Sequence, residues 1–409
     1  MLSAFSGGAL CNPLRVPAFF PSCSRLPRWN VHVAPSLSPV PGRHFLTSCA
    51  HTSTQPRTSS KFEETNKAGR AHRLPIVHHP DYSAPCLPEG HRFPMSVFQQ
   101  IHNELLRTEV VHPMQVHTPA AFPDKRLLEL VHCPDYVEAF RQGTLDASVQ
   151  RRIGLPWSEV SRMLLALADP LELGASAHLL GRRVTYDGRK ALVRRTLAEV
   201  AGTLLTAELA LQHGLACNTA GGTHHAFYDF GSGFCILNDL AVTAAALLER
   251  GALDRILILD LDVHQGDGTA ALFSSEPRVF TVSVHCQDNF PHRKQKSDLD
   301  VALPAGTGDK EYLRQLGEIL PAVLAEFRPQ LVLYDAGVDP HEDDSLGRLA
   351  LTDEGLKQRE KQVLDTCLGI GIPVAAYVGG GYSPDVQKLV KRHCFLHQSA
   401  AQAFIRHNL

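Results

Sequence analysis

Aspartate, glutamate and lysine are all absent from Met1 to Ser60, and the first acidic residue is Glu63. That stretch holds Arg15, Arg25, Arg28, Arg43 and Arg57, with ten serines and eight prolines. An Arg- and Ser-rich segment without acids has the composition of an organelle transit peptide rather than of a packed domain. We therefore expect residues 1–62 to be a transit peptide, plastid before mitochondrion. The bland alternative is a disordered tail on a nuclear or cytoplasmic protein. No clean apolar h-region follows the N-terminus, which argues against a secretory signal.

Other absences narrow the class. The ten cysteines are scattered without a C-x-x-C pair, which argues against a disulfide framework or a Cys-ligated zinc and for a reducing compartment. No apolar run approaches the roughly 18 residues of a membrane span, so no membrane association is expected. Charge of one sign is lacking too: 40 Lys+Arg stand against 42 Asp+Glu. Beyond Ser60 the balance is acidic, 35 against 42, so no basic field draws the chain onto nucleic acid and no direct nucleic-acid binding is expected. What is plentiful is histidine, 22 residues, alongside an ordinary 44% of hydrophobic residues.

The chain from about residue 70 to 409 reads as one α/β domain. Short apolar, β-branched runs at Ile256–Leu261, Val279–Val284, Leu331–Tyr334 and Val374–Val378 are candidate buried strands. Helical patterns at Leu192–Gln212, Asp239–Arg250, Glu311–Phe327 and Asp353–Leu368 alternate with them. The alternation predicts three layers, a mostly parallel central sheet with helices on both faces. Ligands bind such sheets at the carboxyl ends of the strands, where the polar clusters of this chain fall. One stretch, Ser161–Ala191, interrupts the pattern with Asp169-Pro170 and a basic run. It reads as a surface insertion, or as a retained intron in the gene model; the rival is a lid near the active-site mouth.

Five clusters carry the chemistry. In Asp260-Leu-Asp262-Val-His264-Gln-Gly266-Asp267-Gly268, residues at i and i+2 of a strand point the same way. Asp262 and His264 can thus reach one metal ion, and carboxylate plus imidazole suits Zn²⁺, or Fe²⁺ or Mn²⁺ with less selectivity. Asp339, after the Leu331–Tyr334 strand, is a candidate third ligand, because an open catalytic zinc site needs three. Taken alone it would be a turn or cap residue. Gly221-Gly222-Thr223-His224-His225 offers two imidazoles for proton transfer, with Asp260 and Asp267 available to orient them. Gly379-Gly380-Gly381-Tyr382 could bring a phenol to a developing oxyanion. Thr281–His285 with Phe290-Pro291, a strand and loop, says little alone.

In order and spacing these motifs resemble the zinc-dependent histone deacetylases of the arginase/deacetylase fold. GG-x-HH, GFC-x-x-ND, DLDVHQGDG and GGGY carry the likeness, from about Pro75 to the C-terminus. Leu74–Tyr82 and His91-Arg-Phe-Pro-Met look most like the class IV branch and its plant and bacterial relatives. The resemblance implies Asp262, His264 and Asp339 as zinc ligands, and His224 and His225 as the catalytic pair, oriented by Asp260 and Asp267. It implies Tyr382 as oxyanion donor, and Gly233, Phe234, Phe290 and Leu346 as the substrate-tunnel wall. A structural K⁺ would sit at Asp260, Asp262, His264, Ser283 and Val284, largely on backbone carbonyls. The loop between His285 and Phe290 is shorter than in class I enzymes, and Ser161–Ala191 has no counterpart. The implied substrate is an acylated lysine in a protein or peptide, acetyl or longer, or a small acylated amine such as an acetylated polyamine. Two rivals stand beside this. A manganese ureohydrolase would place a further Asp ligand two residues beyond His264, where Gly266 stands. A non-catalytic binding scaffold would have lost a ligand or the tyrosine, and none is lost.

Overall fold

The computed structural model describes residues 73–157, 161–162, 185–186 and 188–409. Ten strands occur among them: β1 (Ile76–Val77), β2 (Val116–His117), β3 (Ser161–Arg162), β4 (Thr185–Tyr186), β5 (Leu215–Asn218), β6 (Ile256–Asp260), β7 (Val279–Cys286), β8 (Leu299–Leu303), β9 (Leu331–Asp335) and β10 (Val374–Tyr377). The helices are α1 (Val97–Arg107), α2 (Lys125–Leu128), α3 (Pro134–Gln142), α4 (Ala147–Ile153), α5 (Gly188–His213), α6 (Asp239–Glu249), α7 (Asp267–Leu272), α8 (Asp309–Phe327), α9 (Asp353–Leu368) and α10 (Val386–Arg406).

Eight strands form one parallel sheet in the order β2-β1-β5-β10-β9-β6-β7-β8. The remaining two, β3 and β4, pair with each other antiparallel. The central strands are buried on both sides, which is why they read as unbroken apolar runs. Alternate residues of one strand feed different cores. Leu257 and Leu259 of β6 join Val332 and Tyr334 of β9 under α1, α8, α9 and α10. Ile256, Ile258, Leu331 and Leu333 join the opposite core with α3, α5 and α6. Three layers, helix on sheet on helix, are thus built, as the alternation predicted.

Every predicted strand and helix is present, with no end moved by more than four residues. Six strands, β1 to β5 and β8, and six helices, α1 to α4, α7 and α10, were not foreseen. The long α5 begins at Gly188 rather than Leu192, and Ala191 is buried in its first turn. Four residues assigned to the anomalous segment therefore belong to the domain's helix. Most of the rest of that segment, and residues 1–62, lie outside the described residues. No described helix is long and apolar enough to cross a membrane.

The topology sets the site. From β5 the chain crosses to β6 and leaves a gap that β9 and β10 later fill. Four neighbouring strands, β5, β10, β9 and β6, thereby present their carboxyl ends in a row.

Candidate active site

Each strand end contributes one cluster. Asp262 and His264 follow β6, and their side chains meet, with His264 Nδ1 2.9 Å from Asp262 Oδ1. Asp339, beyond β9, brings Oδ2 to 3.1 Å from the same nitrogen. The other Asp339 oxygen accepts from the Val263 amide at 2.8 Å, and Asp262 Oδ2 accepts from the Gly380 amide at 3.0 Å. Asp262, His264 and Asp339 are all buried, with one ligand atom from each within 4.8 Å of the others.

Whether these residues suit a zinc ion can be judged from their surroundings. Beyond its 3.1 Å approach to His264 Nδ1, Asp339 Oδ2 has no partner. A Cβ on Gly380 would strike both Asp262 Oδ2 and Asp339 Oδ2, so only glycine leaves the pocket clear. Without an ion, Asp339 is pushed up to about 8 by burial and then by the charge of Asp262. Burial works against a charged His264, but its bonds to Asp262 and Asp339 prevail and raise it to about 10. Two carboxylates and an imidazole nitrogen turned on one buried point fit a zinc ion.

After β5 the chain turns through Gly221 and Gly222, both at positive φ, into His224 and His225. Asp239 at the start of α6 pins this turn, accepting from the Gly222 amide at 3.1 Å, and from the Thr223 amide at 2.8 Å. His224 Nδ1 lies 2.7 Å from Asp260 Oδ2, and His225 Nδ1 lies 2.7 Å from Asp267 Oδ1. The two Nε2 atoms lie at hydrogen-bond distance from each other, 3.1 Å. Burial and then the neighbouring His224 charge push His225 down to about 4. Burial disfavours a charged His224 as well, but Asp260 and Asp262 outweigh it and raise this group well above the usual histidine range. Metal-free, the pair is therefore one cation and one neutral ring.

Tyr382 is buried, its ring centroid 6.3 Å from that of His264 and 5.8 Å from that of Phe234. Burial and then the charges of Asp262 and Asp339 hold its phenol well above its ordinary value, hence protonated. Phe234 sits at φ 67°, a strained position for a side-chain-bearing residue. The carbonyls of Arg152 and Ile153 hold it, accepting from the Gly233 amide at 3.3 Å and the Phe234 amide at 2.8 Å. Phe290 packs on His225 with centroids 4.9 Å apart, and Leu346 accepts a bond from Asn289 at 2.9 Å. A Cβ on Gly233 would meet the His225 ring and, at 3.1 Å, Phe290. Gly233, Phe234, Phe290 and Tyr382 thus surround the histidines, with Leu346 on the adjoining loop. Ser283 is the register partner of Asp260 and precedes Val284 on β7, so those two adjoin Asp260 at the sheet's carboxyl edge.

Residues 91–396 match the family model described as Histone deacetylase domain. The chain belongs to the histone deacetylase family. An uncharacterized protein of Picosynechococcus sp. is 52% identical over 81% of this chain and 99% of its own length. Histone deacetylase 2 of Arabidopsis thaliana is 32% identical over 52% of this chain and 54% of that protein. Acetoin utilization protein AcuC of Staphylococcus aureus is 30% identical over 71% and 73% respectively. Among solved structures, the HDA15 HD domain superposes with a TM-score of 0.61 at 21% identity, covering 82% of this chain and 92% of that one. An HDAC homolog complexed with SAHA gives 0.59 at 24%, covering 80% and 84%. These superpositions establish the deacetylase fold, and the family makes the chain a hydrolase acting on acetylated substrates.

Sequence reasoning assigned no role to three residues of this deacetylase site. Asp344 accepts from the amides of Tyr382 at 2.7 Å and of Leu346 and Gly347, each at 2.8 Å. Arg359, fully buried on α9, donates to the carbonyls of Leu261 at 3.2 Å, Gly337 at 2.7 Å and Ala336 at 3.2 Å. Asp335 stands unpartnered at the end of β9. Of these, only Asp335 gave a signal, an acid directly after an apolar strand.

Proposed function

We propose that the chain is a zinc-dependent amidohydrolase that removes acetyl or longer acyl groups from lysine side chains of proteins. The observation that carries this is the convergence of two loops on one buried point, Asp262 and His264 after β6 and Asp339 after β9, with the paired histidines and Tyr382 around it. A binding scaffold has no use for so complete a set. Asp262, His264 and Asp339 would hold the zinc, which would supply Lewis acidity toward the acyl carbonyl and the attacking water.

The chain's own groups do the rest. His225, neutral with its proton on Nδ1 toward Asp267, presents Nε2 to take the proton of the attacking water, then passes it to the departing amine. Asp267 fixes its tautomer through Nδ1. Cationic His224 offsets negative charge developing beside it. The Tyr382 phenol donates to the carbonyl oxygen as it becomes an oxyanion. Phe234 and Phe290 exclude water and suit a linear alkyl chain. The products are a free amine and a carboxylic acid.

Placement in the class IV branch, a transit peptide over residues 1–62, a plastid address and a K⁺ at Asp260, Asp262, His264, Ser283 and Val284 belong to the same proposal. The deciding experiment is a panel of acyl-lysine peptides and acetylated small amines, assayed with purified, zinc-loaded protein. Turnover of acyl-lysine peptides is expected; turnover of the small amines alone redirects the substrate, and no turnover of either returns the scaffold. Residues 1–70 fused to a fluorescent protein should enter an organelle. A diffuse reporter makes the segment a plain tail.

A further inference from the structure

Behind His224 lies a second set of donors that the proposed reaction does not use. Asp335 closes β9 and Asp260 closes β6, and the two are register partners on adjacent strands. Asp335 is 0% exposed and Asp260 3%. His224 Nδ1 stands 2.7 Å from Asp260 Oδ2 and 3.8 Å from Asp335 Oδ2. One ligand atom from each of the three lies within 4.8 Å of the others.

Asp335 is the anomaly in this set. Neither of its carboxylate oxygens has a hydrogen-bond partner. The surrounding backbone is nevertheless shaped to admit them. A Cβ on Gly222 would lie 2.6 and 2.7 Å from the two oxygens, and one on Gly379 would collide with Oδ1. Both glycines have positive φ, 81° and 64°. Two glycine turns of the catalytic motifs thus leave room for a carboxylate that bonds to nothing.

Two buried carboxylates and one imidazole nitrogen converge here, and one carboxylate makes no hydrogen bond, so the cluster has donor capacity that a bound cation would use. The donor set, one imidazole Nδ1 and two carboxylates, is the same as that of Asp262, His264 and Asp339, where the nitrogen-to-oxygen distances are 2.9 and 3.1 Å. Such sets take Zn²⁺, Co²⁺ or Mn²⁺.

We propose that His224 Nδ1, Asp260 and Asp335 form a second divalent-cation site, filled when zinc exceeds one equivalent, and that filling it switches the enzyme off. On binding, the Nδ1 proton of His224 leaves to solvent and two carboxylates and the imidazole nitrogen become ligands. The His224 ring then carries the metal on one nitrogen while the other still faces His225 Nε2 at 3.1 Å. His224 thereby gives up the Nδ1 proton that it donates to Asp260, and Asp260, now a metal ligand, no longer orients the ring for the reaction. Inhibition rests on the zinc-hydrolase reading; the site itself does not.

The test strips the full chain of metal with a chelator and titrates it with Zn²⁺ alone, reading bound zinc and hydrolysis of an acyl-lysine peptide together. Two uptake events are expected, with hydrolysis rising through the first and falling at least tenfold through the second. Asp335→Asn should take up one equivalent and stay active in excess zinc; Asp335→Ser serves if that variant does not fold. Asp262→Ala should lose the first event and keep the second. Co²⁺ absorption reports each event independently of activity. Uptake that ends at one equivalent in the unaltered protein overturns the site, whatever the variants do, and so does a second equivalent retained by Asp335→Asn. Two uptake events with no hydrolysis at any zinc level would leave the site standing and remove the proposed function instead.

Discussion

The Nε2 atoms of His224 and His225 lie 3.1 Å apart, while the Nδ1 atom of each is bound at 2.7 Å by a different aspartate. Neighbours in sequence usually diverge, and here Asp260 from β6 and Asp267 from α7 turn the two rings together. On the proposed reading His225 acts as base and His224 as cation. His225→Ala should lower kcat by roughly 10²–10⁴-fold, as for loss of a general base. One equivalent of zinc should still bind. Turnover that survives in His225→Ala but fails in His224→Ala would reverse the roles.

Asp344 fastens the amide of Tyr382 at 2.7 Å, which sets where the phenol points. Its carboxyl is pushed up to about 6 by burial, against the pull of the three amides it accepts from. Because the phenol acts on charge that appears only in the transition state, Tyr382→Phe should lower kcat by roughly 10²-fold or more. KM should move much less. Near-normal turnover would leave the oxyanion to the metal alone.

Asp339 is one of the three proposed ligands, so Asp339→Ala should bind far less zinc at one added equivalent than the unaltered chain. Metal analysis at matched protein concentration checks this. Undiminished zinc would remove Asp339 from the ligand set.

Much of this arrangement was legible in the sequence, for a physical reason. β6, β9 and β10 are covered on both faces, so burial wrote itself as continuous apolar runs, and the donors sit directly after them. Two-residue strands such as β1 and β2 are too short to show any period, and β5 adds only four residues after a long helix. Arg359 was hidden differently. It lies between Lys357 and Lys361 in what reads as a solvated helix face, and its carbonyl acceptors are 98, 22 and 23 residues away. Packing by other elements creates its role, and no local pattern records that.

Arg359 bridges the loops that carry Asp262 and Asp339, and pairs with Glu360 at 2.5 Å. Tyr334 donates to the other oxygen of Glu360 at 2.5 Å. Arg359→Met should destabilise the fold by about 3–5 kcal/mol, because it leaves a buried carboxylate unpaired. Arg359→Met with Glu360→Gln should recover much of that and keep an acceptor for Tyr334. This double variant should still hold zinc roughly tenfold more weakly, since the ligand loops have lost their common anchor. Denaturant unfolding and a chelator competition separate the two effects. Unchanged zinc affinity in the folded double variant would confine Arg359 to stability.

His132 gives the fold an acid limit that is independent of the metal ligands. It is fully buried, with Nδ1 2.9 Å from the Phe227 carbonyl and Nε2 3.0 Å from the Asn238 amide. That network assigns the neutral tautomer, with Nδ1–H donating and Nε2 accepting. Burial lowers its folded value from 6.5 to about 4. A group depressed on folding is protonated first in the unfolded chain, so stability falls as pH falls. Its contribution is complete above pH 6.5, shrinks from there to about pH 4, and changes no further below that. Within the window the loss is ~1.4 kcal/mol per pH unit. His397, also near 4, and His78 and His393, near 3, steepen the same decline, each through burial first. Denaturant unfolding at pH 7.5, 6.0 and 5.0 should therefore show stability falling toward acid. His132→Gln, which cannot titrate, should begin less stable at pH 7.5 and decline with a slope smaller by about one proton. Equal slopes in the two proteins would mean that His132 takes up its proton in the folded chain as readily as in the unfolded one.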